Sequence, residues 1–179
     1  MRKCTIGLLV LLLCAAGACK LPEMKESPGK VLMDPGKTIQ VTIPSGWKED
    51  RELHESAELQ ASQRAKELYI IILSESKQDF QQMTLEGHSK ITRDTLMGNI
   101  KSAELSAPVS MTVGGYPAVQ YEISGFVDNL GVVYLHTTVE SAGSYHQILT
   151  WTLKSMAEKN KPILQKVTES FQEVTAGVK

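Results

Sequence analysis

Hydrophobic and polar residues alternate in several short segments of this chain, a pattern typical of strands with one buried face. The first such segment is Ile39–Ile43, which ends before the turn sequence Pro44-Ser45-Gly46. A weaker segment covers residues 57–63. Residues 68–73 are apolar throughout, which is typical of a central strand covered on both faces. Three strands are therefore predicted in this part of the chain.

A helix and a meander of strands are predicted next. Asp79 is a candidate N-cap, and residues at spacings of three and four, among them Gly87 and Ile91, predict a helix over 79–97. Gly114-Gly115 is a two-residue turn that tolerates positive φ at both positions. It joins the first two of four predicted strands, whose ranges are 103–113, 117–127, 132–141 and 145–155.

The last element predicted is a helix over 157–174 with a single apolar stripe. The stripe consists of Ile163, Leu164, Val167, Phe171 and Val174. Strands, a helix, a long antiparallel meander and a final helix predict an α+β fold with helices packed on the faces of a sheet.

The N-terminal residues have the layout of a secretory signal peptide. Arg2 and Lys3 precede an apolar block, and small residues follow it up to residue 18. The apolar run over 6–18 is shorter than the ~20 residues that a membrane-spanning helix needs. We therefore expect residues 1–18 to be removed, which is favoured over a permanent transmembrane helix.

The residues before Cys19 indicate lipidation. Ala16, Gly17 and Ala18 flank the expected cleavage point and resemble the lipobox of bacterial lipoproteins, although Ala16 stands where Leu is usual. Two or more acyl chains on Cys19 would hold the protein stably on a membrane. Because Lys20 rather than Asp follows, the chain resembles lipoproteins sorted to the outer membrane in envelopes with two membranes. Secretion with a free thiol at Cys19 is the alternative.

The domain organisation follows from this. Residues 19–36, rich in Pro, Gly and charged residues, are predicted to be a lipidated tether without regular structure. The folded domain is predicted over 37–174, with a short tail at 175–179.

Charge and cysteine content exclude several classes of function. The 179-residue chain has a formal net charge of −1, and loss of residues 1–18 would make it −3, so nucleic acid is not expected as a partner. All three cysteines lie within the first 19 residues, so the domain has no disulfide and no thiolate metal site. No cofactor is expected.

The four histidines do not predict a metal site, because no pair of them has the i, i+4 spacing of a helical zinc site. They are His54, His88, His136 and His146. If the turn at Ala142-Gly143 sets the register, His136 lies opposite Leu149 rather than opposite His146.

Other candidate chemistry has plainer explanations. Gly36-Lys37-Thr38 lacks the spacing and the following helix of a phosphate-binding loop. Ser144 and His146 share a strand face without an acid, and no Gly-x-Ser-x-Gly elbow is present. An acidic cluster is interpreted as a solvated loop, with an acidic contact surface as the alternative; it consists of Glu49, Asp50, Glu52 and Glu55.

Five aromatic residues are interpreted as core, with the lining of a binding cleft as the alternative. They are Tyr116, Tyr121, Tyr134, Tyr145 and Trp151.

Residues 37–174 resemble the PsbP-like superfamily, which includes PsbP and DcrB-type bacterial lipoproteins. The resemblance rests on Ile43-Pro44-Ser45-Gly46-Trp47, on Gly114-Gly115-Tyr116-Pro117-Ala118, on the run from Tyr145 to Trp151 and on the final Glu169-Ser170-Phe171. It implies an α/β/α sandwich around a central antiparallel sheet and non-enzymatic members that bind or stabilise other proteins. It carries over no site residue.

Two functions remain open from the sequence. The favoured one is a non-catalytic lipoprotein of the cell envelope that is held on the membrane through Cys19 and binds or stabilises a protein partner. The alternative is a small-ligand binding module, or an enzyme, that uses a cleft between the sheet and the helix predicted over 79–97.

Overall fold

The computed structural model describes residues 29–174, which form two antiparallel sheets and two helices. The helices are α1 (Leu85–Met97) and α2 (Ala157–Glu169). The strands are β1 (Lys30–Met33), β2 (Ile39–Ile43), β3 (Lys48–Glu49), β4 (Leu59–Gln63), β5 (Leu68–Ser76), β6 (Lys101–Leu105), β7 (Val109–Val113), β8 (Tyr116–Val127), β9 (Leu130–Glu140), β10 (Ser144–Leu153) and β11 (Gln172–Glu173).

The large sheet has the strand order β3-β4-β5-β10-β9-β8-β6, and β7 also pairs with β8. The small sheet has the order β1-β2-β11, so β2 pairs with both the first and the last strand of the chain. The predicted register of β9 and β10 is confirmed, because His136 pairs with Leu149 and His146 pairs with Val139.

The two helices lie on opposite faces of the large sheet. Side chains alternate between the faces along each strand. In β8, Val119, Tyr121 and Ile123 pack in one core with Leu85 of α1, whereas Ala118 belongs to the other core. We call these two sides of the sheet the α1 face and the α2 face.

The small sheet shares the α2 face with α2. Ile39, Val41 and Ile43 of β2 are fully buried and lie in one cluster with Leu164 of α2 and Ile70 of β5. The predicted α/β/α sandwich is therefore confirmed in outline, and one of its outer layers combines a helix with a three-stranded sheet.

The folded domain begins earlier than residue 37. Residues Lys30–Met33, which the sequence placed in the tether, form β1 and pair with β2. Asp34 closes the following turn, because its carboxylate accepts hydrogen bonds from the backbone N–H groups of Gly36, Thr38 and Ile39. The Gly36-Lys37-Thr38 sequence is thus a turn between strands.

Helix α1 begins later than predicted. Asp79 ends a short 3₁₀ turn, and the N-cap is Thr84, whose hydroxyl accepts a hydrogen bond from the Gly87 N–H. Ile91, one of the residues whose spacing predicted this helix, is not buried by it and is 56% exposed. The helix instead buries Leu85, His88 and Ser89 against the sheet.

Two further boundaries differ from the prediction. The strand expected over 103–113 is two strands, because Pro108 has no N–H to donate and the register to β8 shifts between them. Helix α2 ends at Glu169, and the chain then leads through the fully buried Phe171 into β11. The turn at Gly114-Gly115 is confirmed, with φ of 60° and 87°.

Candidate functional site

The predicted lipidation site lies outside the described residues, as do Ala16, Gly17 and Ala18 of the cleavage flank and Cys19 itself. None of the helices between residues 29 and 174 is long and apolar enough to cross a membrane. Within the same range, no group of three or more metal-ligating side chains comes together.

The histidines differ in burial. His54 lies in an exposed loop, whereas His88, His136 and His146 are buried. His136 and His146 are on neighbouring strands but project to opposite faces, since His136 pairs with Leu149, which is three residues from His146, and an odd separation changes the face. They cannot share a ligand.

His146 lies at the centre of a polar network on the α2 face that the sequence did not predict. Its Nδ1 is 2.9 Å from the Ser74 hydroxyl, and its Nε2 is 3.1 Å from a carboxylate oxygen of Glu173. The same carboxylate accepts hydrogen bonds from Ser141 at 2.7 Å and from Tyr116 at 3.0 Å. Serine, histidine and an acid therefore meet from β5, β10 and β11.

The electrostatics of this network favour a neutral histidine beside an ionised acid. Burial lowers the pKa of His146, and Glu173 offsets this only in part. Burial alone would raise the pKa of Glu173, but hydrogen bonds from Ser141, His146 and Tyr116 outweigh it and lower that pKa.

The geometry of Ser74 does not suit nucleophilic catalysis. Acyl transfer needs free donors for the developing oxyanion. The Ser74 backbone N–H, however, already donates to Glu58 at 2.9 Å, and His146 is only 2% exposed. We interpret the network as a contact that holds β11 against the large sheet.

The interface between α1 and the sheet, where the sequence allowed a ligand cleft, is filled by side chains. The ring of His88 stacks on that of Tyr145 at 4.4 Å, and its Nε2 pairs with Glu75 at 2.8 Å. One turn further along, the Thr92 hydroxyl lies 3.1 Å from His136 Nε2. Pockets are found at other places in the fold.

Three of the four carboxylates in the acidic cluster over 49–55 pair with two arginines. Arg64 contacts both carboxylate oxygens of Asp50, at 2.7 and 2.9 Å, and also reaches Glu52. This contact lowers the pKa of Asp50 to about 2, against the opposing effect of burial. Arg51 pairs with Glu49. Local ion pairs thus account for three of these acids, and the four carboxylates still outnumber the two arginines.

An open groove lies on the α1 face beyond the end of α1. Its floor is a row of stacked rings from three adjacent strands: Trp151 lies 5.1 Å from Tyr69 and 5.6 Å from Tyr134. All three side chains are partly exposed, and Leu130 at the β8–β9 turn is 58% exposed. We call this site, with a volume of about 200 Å³, the aromatic groove; its lining residues are Glu67, Tyr69, Val127, Asp128, Leu130, Val132, Tyr134, Trp151, Thr152 and Leu153.

The rim of the aromatic groove is acidic. Glu67 accepts a hydrogen bond from the Tyr69 hydroxyl at 2.7 Å, and Asp128 lies in the exposed turn beside Leu130. Burial, together with Glu67, raises the pKa of Tyr69 to about 12. The described lining residues include no lysine or arginine. The carboxylates are suited to pair with a cationic side chain, and the partly exposed rings beside them are suited to contact apolar ones.

Neither a protein-family model nor a curated protein sequence matches the chain. Several solved structures share its fold. Cyanobacterial PsbP (CyanoP) from Synechocystis sp. PCC 6803 is 13% identical with a TM-score of 0.61, and the match covers 90% of this chain and 99% of that one. LpqN of Mycobacterium tuberculosis, described as involved in cell envelope biogenesis, is 14% identical with a TM-score of 0.59 over 83% and 87% of the two chains.

The Saccharomyces cerevisiae Ran-binding protein Mog1p is also similar in structure. It is 13% identical with a TM-score of 0.56, and the match covers 83% of this chain and 97% of that one. The domain therefore has the PsbP-like fold that the sequence predicted. At these identities the likeness concerns the fold alone.

Proposed function

We propose that this PsbP-like domain belongs to a lipoprotein of the bacterial cell envelope that binds a protein partner and catalyses no reaction itself. The observation that carries the proposal is the aromatic groove, a partly exposed row of three stacked rings with an acidic rim. Exposed aromatic rings at the centre of a contact contribute much of the binding energy in protein interfaces.

The chemistry of the groove selects the kind of partner. Both faces of Trp151 are covered by the neighbouring tyrosines, so a partner meets the edges of the rings. A lysine or arginine of the partner would pair with Glu67 or Asp128, while apolar neighbours would cover the ring edges and Leu130. The partner segment is therefore basic and apolar.

The proposed location rests on Cys19 and is supported by the similarity to LpqN, which is described as involved in cell envelope biogenesis. With β1 in the fold, the tether shortens to residues 19–28. Ten residues span at most about 35 Å when fully extended. The lipid on Cys19 would keep the domain close to the membrane, on the periplasmic face of the outer membrane in an envelope with two membranes.

Lipidation of Cys19 predicts that cells fed a labelled fatty acid incorporate the label into this chain. Replacing the thiol in Cys19→Ser removes the only position that the lipobox offers, so labelling is expected to fall to background. The measurement compares labelled and total protein for both chains. Cys14→Ser is the matched control and is expected to keep full labelling; equal labelling of the wild type and Cys19→Ser would contradict the assignment.

The groove predicts where a partner contacts the domain. A photo-crosslinking residue at Leu130 is expected to give one discrete adduct in cells that make the protein naturally. The adduct is expected to weaken in Trp151→Ala, which removes the central ring, and in the pair Glu67→Gln and Asp128→Asn, which removes the rim charges. The measurement is adduct yield on a denaturing gel.

Two control positions match Leu130 in exposure. Val109 on β7 is 57% exposed and Ile91 on α1 is 56% exposed, against 58% for Leu130, and neither lines the groove. Similar adducts from all three positions, or an adduct at Leu130 that survives both changes of the groove, would refute the groove as the binding site.

A further inference from the structure

A second pocket, on the α2 face, has a different chemical character. It lies where α2, β2 and the turn after β2 meet, and it has a volume of about 370 Å³. We call it the lysine pocket. Its lining residues are Gly29, Thr42, Pro44, Ser45, Trp47, Gln63, Lys66, Leu68, Ile163, Lys166, Val167 and Ser170.

The walls of the lysine pocket are mostly apolar. Ile163 and Val167 are on one side of α2, four residues apart, and Leu68 and Trp47 belong to the same core cluster. Trp47 is 6% exposed, and its indole N–H has no acceptor among the described residues. The side chains of Trp47, Leu68, Ile163 and Val167 thus give the pocket an apolar wall.

The charged side chains among the described residues that line this pocket are two lysines. Lys66 and Lys166 come from different elements, and none of the described lining residues is acidic. Lys66 is exposed, and its ammonium group forms no ion pair with a carboxylate of residues 29–174. The pocket thus offers positive charge above an apolar wall.

We infer that the lysine pocket binds a single-chain amphiphilic carboxylate, such as a fatty-acid anion. The carboxylate pairs with Lys66, and the acyl chain lies against Trp47, Ile163 and Val167. The volume is at the small end of the range for small-molecule sites, which suits one acyl chain rather than the two of a phospholipid. This inference does not rest on the proposed partner binding, since the aromatic groove lies on the other face of the sheet.

The test is calorimetric titration of the full chain carrying Cys19→Ser, so that no attached lipid competes. Dodecanoate, kept below its micelle-forming concentration, is expected to bind saturably at one site. Octanoate is expected to bind more weakly by about tenfold or more, because four fewer methylene groups are buried. Acetate and dodecyltrimethylammonium, which lack the chain and the negative charge respectively, are expected not to bind.

Variants locate the binding in the pocket. Lys66→Ala combined with Lys166→Ala is expected to weaken dodecanoate binding about fivefold or more. Thr42→Glu, which adds an acid at an exposed lining position, is expected to weaken it as well. Lys159→Ala is the matched control, because Lys159 is an exposed lysine of α2 that does not line the pocket, and it is expected to leave binding unchanged.

Several outcomes would overturn the inference. They are an absence of saturable binding, equal binding of the cationic amphiphile, and lysine variants that bind as well as the wild type. Binding to anionic phospholipid vesicles without binding to monomeric dodecanoate would also overturn it, since that pattern indicates a surface contact with a membrane. None of these outcomes alters the crosslinking expected at Leu130, so failure of the two proposals can be told apart.

Discussion

Replacing Phe171 with alanine is expected to lower the free energy of unfolding by about 3–5 kcal/mol, as is usual for removal of a buried aromatic ring. Phe171 is fully buried and packs 5.0 Å from the His146 ring. The ring belongs to the core cluster that joins α2, the small sheet and the large sheet. Its loss leaves a cavity where these three layers meet. Denaturant unfolding followed by circular dichroism measures the change.

Phe126→Ala is the matched control for this experiment. It removes the same ring from a position that is 44% exposed at the end of β8, so a cost well below that of Phe171→Ala is expected. Equal costs for the two variants would contradict the assignment of Phe171 to the core.

The stability of the domain is expected to fall between about pH 6.5 and pH 4 because of His136. Burial lowers the pKa of this side chain from 6.5 to about 4, and the positive charge of Arg93 acts in the same direction. Over this interval the unfolded chain binds a proton that the folded chain does not, so the free energy of unfolding decreases as the pH falls. The loss from this residue amounts to about 3 kcal/mol at pH 4.

His136→Gln tests this dependence, because glutamine cannot be protonated in this range. Chemical unfolding at pH 7, 6, 5 and 4 is expected to show a shallower loss of stability than in the wild type. Some loss remains, since burial also lowers the pKa of His146. The control is His54→Gln, which changes an exposed histidine and is expected to keep the wild-type slope. A wild-type slope in His136→Gln would refute the role of burial at this position.

Elements with strong local signals were predicted well from the sequence. Strands β8, β9 and β10 alternate clearly, and short turns fix their register, so the pairing of His136 with Leu149 followed from the turn alone. β1 was missed because a four-residue edge strand among prolines and glycines has no periodicity. The end of α2 was misplaced because Phe171 continues the helical stripe, although its burial comes from the chain segment after the helix.

The candidate sites were harder to predict because they join distant segments. The aromatic row combines Tyr69, Tyr134 and Trp151, and only the order of strands across the sheet brings these rings together. Similarly, the contact of His146 with Glu173 depends on β11, which the sequence did not predict. Alternation along one strand reports which residues share a face, but it does not report which strands are neighbours.

The pairing of β2 with β11 has a consequence for how the domain is made. Gln40 is paired with Gln172, so an early strand needs a partner from the last few described residues. A chain that leaves the ribosome or a membrane channel from its N-terminus presents β2 long before β11 exists, and closing so long a loop is slow. The lysine pocket, which takes Thr42 from β2 and Ser170 from the segment before β11, is therefore completed only after both of these distant segments have been made.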